Sequence, residues 1–119
     1  MHPHAALRFQ DGHTTADLFR SEHDALLHVA TQTLQDVMDA LRDAYSPGRG
    51  VPHPLDALNA YERGDYRAVA DWHREYVAGS LEIDWLVQPA GFGVHAARPL
   101  APAALRALRG QYGTHPESA

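Results

Sequence analysis

Apolar and polar positions repeat at more than one period along this chain, and the changes of period mark its elements. Ala5-Ala6-Leu7-Arg8-Phe9-Gln10 alternates and ends in Asp11-Gly12, which predicts a short strand closed by a turn. Thr14 or Thr15 then stands where a helix would be capped, with Asp17 as a capping-box acid in the first turn. At about 100° per residue, one arc collects Phe19, Leu26, Leu27, Ala30, Leu34, Val37, Met38, Leu41, Ala44 and Tyr45. The opposite arc holds Asp24, His28, Thr31, Gln35, Asp39 and Arg42. A long amphipathic helix is therefore predicted to run to Tyr45 and to stop at Ser46-Pro47-Gly48.

Past a loop through Arg49 to Pro54, a short helix spans Leu55 to Arg63 and stops at Gly64. Asp65 caps the next helix, Tyr66 to about Ala78, which Gly79 ends. Its apolar arc is Tyr66, Val69, Ala70, Trp72, Tyr76 and Val77, against Arg67, Asp71, Arg74 and Glu75. The stretch Ala60-Tyr61-Glu62-Arg63-Gly64-Asp65-Tyr66 resembles the turn between the helices of a tetratricopeptide hairpin. There is one copy where about three are needed, so the resemblance implies a helical hairpin and no family.

From Leu81 to Gln88 the period returns to two, with Ile83, Trp85 and Val87 alternating against Glu82, Asp84 and Gln88. Phe92-Gly93-Val94-His95-Ala96 alternates again, so the two segments are predicted to form a hairpin. A loop of even length puts Ile83, Trp85, Val87, Phe92, Val94 and Ala96 on one face. With Gln88 to Gly91 as the loop, Asp84 and His95 form a cross-strand polar pair. A last helix has Pro102 in its first turn, carries Leu105 and Leu108, and stops at Gly110. The expected architecture is an α+β domain over residues 1–110, with a small antiparallel or mixed sheet packed on helices. Residues 111–119 are expected to form a flexible tail.

Composition narrows the chemistry. The 119 residues hold no cysteine, which removes disulfides, thiolate metal sites and thiol nucleophiles. All ten basic residues are arginine, so no lysine is present for a phosphate loop or a Schiff base. Lysine's absence beside twenty alanines fits GC-rich, bacterial codon usage. No apolar run approaches the length of a membrane span, and Met1-His2-Pro3-His4 does not begin a secretory signal. A cytoplasmic setting is expected. The net charge of −5 speaks against nucleic acid as a partner, although Arg98, Arg106 and Arg109 are the only charged residues besides histidine from Gln88 to Pro116.

Two histidines fall inside apolar arcs: His23 between Phe19 and Leu26-Leu27, and His73 between Val69-Ala70 and Tyr76-Val77. If both arcs face one core, the imidazoles line one cavity as acid/base or ligand-binding candidates, with Tyr66, Tyr76 and Trp85 as its walls. No local ligand pair for zinc and no cofactor fingerprint occurs, so neither metal nor cofactor is expected. Near the N-terminus, His2, His4 and His13 are expected to carry no function. Leu27, Leu34 and Leu41 recur every seven residues, a stripe that suits self-association through the long helix. The leading expectation is a noncatalytic binding or regulatory module that self-associates. The alternative is a small enzyme or small-molecule binder with a histidine-lined pocket.

Overall fold

A computed structural model describes residues 2–42, 54–76 and 83–112. It shows the expected α+β architecture: an antiparallel three-stranded sheet with helices packed against one face. Strands β1 (His4–Gln10) and β2 (His13–Phe19) form a hairpin around Asp11-Gly12. Both turn residues have positive φ, 52° and 79°. This two-residue loop twists the same way as the strands it joins, and Gly12 occupies the second left-handed position at no steric cost.

The segment 13–19 was expected to open the long helix and is a strand instead. Threonine serves both as a helix cap and as a strand former, and the Asp-Gly turn decides between the two by folding Thr14 and Thr15 back onto β1. They lie opposite Phe9 and Arg8, and Asp17 lies opposite Ala6 rather than capping a helix. The cap is Ser21. Its Oγ accepts the Asp24 amide at 3.1 Å and donates to the Asp24 carboxylate at 2.9 Å. Helix α1 (Glu22–Arg42) follows with two acids in its first turn, where the helix dipole favours them.

Helix α1 is the central layer and packs on two sides. Ala25 and Val29 meet Ala6, Phe19, Ile83 and Trp85 of the sheet. Leu27, Ala30 and Leu34 meet helices α2 (Pro54–Glu62), α3 (Tyr66–Tyr76) and the segment from Leu100 into α4 (Pro102–Tyr112). The turn between α2 and α3 satisfies several of the groups left free at the helix ends. The amide of Gly64 (φ 81°) donates to Tyr61 and that of Asp65 donates to Ala60, while Asp65 Oδ1 accepts the Ala68 amide.

Strand β3 (Ile83–Pro89) pairs along its length with β1, giving the order β2-β1-β3. Ile83, Trp85 and Val87 do share the buried face, but the predicted hairpin with 92–96 does not form. The free edge of β1 offers seven residues of ladder. Segment 92–96 instead crosses the end of the sheet, touching it at one parallel bridge between His95 and Phe19. A Cβ on Gly93 would overlap the Phe19 carbonyl, so glycine is what permits this crossing. Phe92 and Val94, expected inside, are 69% and 80% exposed. Helix α4 also runs through Gly110 to Tyr112, because one glycine costs an otherwise well-packed helix only about 1 kcal/mol. The predicted stop at Ser46-Pro47-Gly48, the end of the third helix at Gly79, the strand start at Leu81 and the tail from residue 113 lie outside the described residues.

Candidate functional site

Helix α3 buries His73 at 1% exposure. Desolvation pushes its pKa from 6.5 down to about 4, with Asp84 opposing and Arg8 and Arg74 adding to the effect. Its Nε2 has no hydrogen-bond partner. His23 behaves differently, standing exposed in the first turn of α1 with its ring 5.3 Å from that of Tyr66. Tyr66 and His73 are two turns apart on α3, about 10 Å along the axis, so the two imidazoles lie at opposite ends of that helix. Trp85 is buried in the sheet layer with the Arg8 guanidinium 5.4 Å from its ring, and the Tyr76 side chain lies outside the described residues. Among the described residues, His23 and His73 are therefore not brought into one cavity.

Asp84 and His95 also stay apart. Asp84 is opposite Phe9 at one end of β1, whereas His95 bridges to Phe19, which is opposite His4 at the other end. Five residues of strand, about 16 Å, separate those positions. This correction follows directly from the pairing of β3 with β1.

A different group of side chains converges. Between β2, α1 and residues 95–101 lies a cleft of about 520 Å³. It is lined by Asp17 and Phe19 of β2, by His28, Thr31, Gln32 and Gln35 of α1, and by His95 to Ala101. The His28 Nε2 is 3.6 Å from the Asp17 carboxylate. The imidazole packs on Phe19 at 4.8 Å between centroids and edge-on to Trp85 at 5.6 Å. Burial among these rings lowers its pKa; Asp17 opposes that shift and Arg8 adds to it.

The outer wall, residues 95–101, is an extended strap without regular structure of its own, yet its backbone is pinned repeatedly. The His95 amide donates to Leu18, and the His95 carbonyl accepts the Arg20 amide. Asp24 accepts the Ala97 amide through Oδ1, and Arg20 Nε and Ser21 Oγ through Oδ2. Burial alone would raise the Asp24 pKa, but these donors outweigh it and hold the carboxyl below its ordinary value. Further along, the Leu100 amide donates to the Tyr61 hydroxyl at 2.6 Å, and Thr31 Oγ1 donates to the Arg98 carbonyl at 3.3 Å. Tyr61 and Thr31 are 3.0 Å apart. Because the Thr31 proton goes to Arg98, Tyr61 must donate to Thr31. The proton order is then fixed along Leu100, Tyr61, Thr31 and Arg98.

No family model matches this chain, and neither does any curated protein or solved structure. Function has to be argued from the cleft. It offers an imidazole whose pKa burial lowers, a carboxylate, two side-chain amides, and a pinned wall that carries His95 and Arg98 beside Pro99 and Leu100. Among the described residues no group of three or more histidine, aspartate or glutamate side chains could hold a metal ion. The sequence placed His28, Thr31 and Gln35 on the solvent arc of the long helix. Nothing in the periodicity shows that a strap more than sixty residues later would lie across that arc.

Proposed function

We propose that this chain is a noncatalytic small-molecule-binding module whose ligand occupies the cleft between α1, β2 and the 95–101 strap. What carries the reading is a wall pinned in advance: Asp24, Tyr61 and Thr31 hold a segment that has no helix or strand of its own. The volume of about 520 Å³ lies within the range of small-ligand sites, and preorganisation of this kind lowers the ordering cost of binding. A noncatalytic role is favoured because the Thr31 hydroxyl, the nearest candidate nucleophile, is committed to Tyr61 and Arg98.

The test is a fragment screen followed by amide and imidazole NMR shifts. Saturable shifts are expected at Asp17, His28, Gln32 and residues 95–101. Hits that move only residues elsewhere, or no hits at millimolar fragment, would overturn the reading.

Self-association, the other expectation, is not favoured: Leu27, Ala30 and Leu34 of the long-helix stripe are buried in the chain's own core, and the sheet face turned away from α1, where Phe9 and Leu86 are 38% and 39% exposed, is small.

A further inference from the structure

We propose that the outer edge of β2 and the cleft beside it together take an extended peptide, which adds a strand to the sheet and sends one bulky side chain into the cleft. The proposal rests on the reading of the cleft as a binding site and extends it to a partner.

The edge is the first ground. Gln10 and His13 close the two-residue hairpin as a hydrogen-bonded pair. By alternation, Thr14, Ala16 and Leu18 then turn their amides and carbonyls away from β1. The strap agrees with this phase: the His95 amide donates to the Leu18 carbonyl, and the Arg20 amide donates to the His95 carbonyl. An extended backbone thus already occupies the last rungs of this edge. Over Thr14 and Ala16 the same edge is free among the described residues. Thr14, Thr15 and Ala16 are small and exposed, and no lysine, proline or bulge blunts the strand there. Donors and acceptors alternating at strand spacing are the complement of an extended main chain.

The hollows beside the edge are the second ground. The cleft opens at Asp17 and Phe19, and a second hollow of about 340 Å³ lies beside Arg8, His13 and Thr15. His13, Thr15, Asp17 and Phe19 alternate in phase, so both hollows lie on the sheet face that meets α1. From His13 and Thr15 to Asp17 and Phe19 the offset is about 13 Å along the strand, the distance from residue i to i+4 of a peptide added at this edge. Pockets in line on one face are how strand addition gains specificity. A second copy of this chain would bring to the edge the small side chains of its own β2, Thr14, Thr15 and Ala16. These are too small for a cleft of about 520 Å³, which favours a different chain carrying a bulky residue.

The probes are acetylated, amidated heptapeptides of alternating threonine and valine, with phenylalanine or glycine at the centre. Each is titrated against the full chain while the backbone amides and the His28 imidazole are followed by NMR. The phenylalanine peptide is expected to shift Thr14 and Ala16 together with His28 and Gln32. It should bind about tenfold more tightly than the glycine peptide. N-methylation of alternate peptide amides should abolish binding in one phase and spare it in the other, because only one phase faces the edge. On the protein, Ala16→Pro removes an outward N–H and no rung to β1. It should weaken the phenylalanine peptide about tenfold, and Thr14→Pro repeats the comparison should the first variant misfold. If both N-methyl phases bind alike, or the peptides move cleft residues without Thr14 and Ala16, strand addition is wrong while the cleft stands as a binding site. If Thr14 and Ala16 shift with protein concentration alone, the edge belongs to a second copy and the proposal is overturned. If neither the peptides nor the fragments of the screen above shift a cleft residue, both readings fall.

Discussion

The buried imidazole of His73 has a consequence that can be read in solution. An unfolded histidine titrates near 6.5, and the folded one near 4. Between those values the unfolded chain binds a proton that the folded chain refuses. The His73 contribution to stability is therefore complete above pH 6.5, falls as pH drops through that window, and changes no further below pH 4. A shift of this size corresponds to about 3 kcal/mol, a large part of a small domain's stability. His28 shifts in the same direction and adds to the slope. Asp24 acts in a lower window: its depressed pKa contributes stability above 3.8 that is lost as pH falls further. Urea midpoints followed by tryptophan fluorescence should decline from pH 6.5 to pH 4, and His73→Leu should flatten most of that decline. A wild-type profile without slope across the window would mean that His73 is hydrated or paired in solution.

At the scale of elements, the strap and its anchors behave as one unit, and that is measurable. Tyr61→Phe leaves the Leu100 amide without its acceptor and Thr31 without its donor, both at buried positions. The expected cost is about 2 kcal/mol. Thr31→Val breaks the same chain from its other side and should cost about 1 kcal/mol or more. Because both sever one network, the double variant should lose clearly less than the two singles together, and thermal or urea unfolding of the three proteins gives the coupling directly. Strict additivity would show that the two hydroxyls act separately.

The same elements show what could be read from the residues alone. Local signals were sufficient where the structure is local. Gly64 and Asp65 announced the α2–α3 turn, Asp11-Gly12 announced a turn, and the period-two pattern of Ile83, Trp85 and Val87 announced a half-buried strand. They failed where pairing is between distant segments. The choice of β1 over 92–96 as the partner of β3 depends on a free strand edge more than seventy residues away. The contacts that build the cleft are equally distant, with Thr31 and Arg98 separated by 67 residues and Asp24 and Ala97 by 73. A helical wheel assigns one buried side to α1, yet this helix is covered by the sheet, by α2 and α3, and by the strap. Residues on the nominally polar arc, Asp24 and Thr31 among them, are consequently buried.

For the molecule as a whole, the asymmetry of the sheet sets the expected assembly state. One face meets α1, while the other carries Leu7, Phe9, Ala16, Leu18 and Leu86, an apolar set broken by Thr14, Asp84 and Gln88. Three strands of seven residues make a face of about 300 Å², against roughly 800 Å² per partner in a stable complex. At ~25 cal/mol/Å², a little over half of it apolar, two such faces would gain about 8 kcal/mol on contact. Loss of translational and rotational freedom costs about 4–15 kcal/mol. The sum lies near zero, so this face cannot hold two copies together by itself. Light scattering during size exclusion should give a monomer at high micromolar concentration, and Phe9→Ser with Leu86→Thr should leave the elution unchanged. A concentration-independent dimer would require a larger contact than this face provides. A dimer abolished by the double substitution would show instead that the sheet edges extend the interface, since Thr14 and Ala16 on β2 point their backbone groups outward beside it.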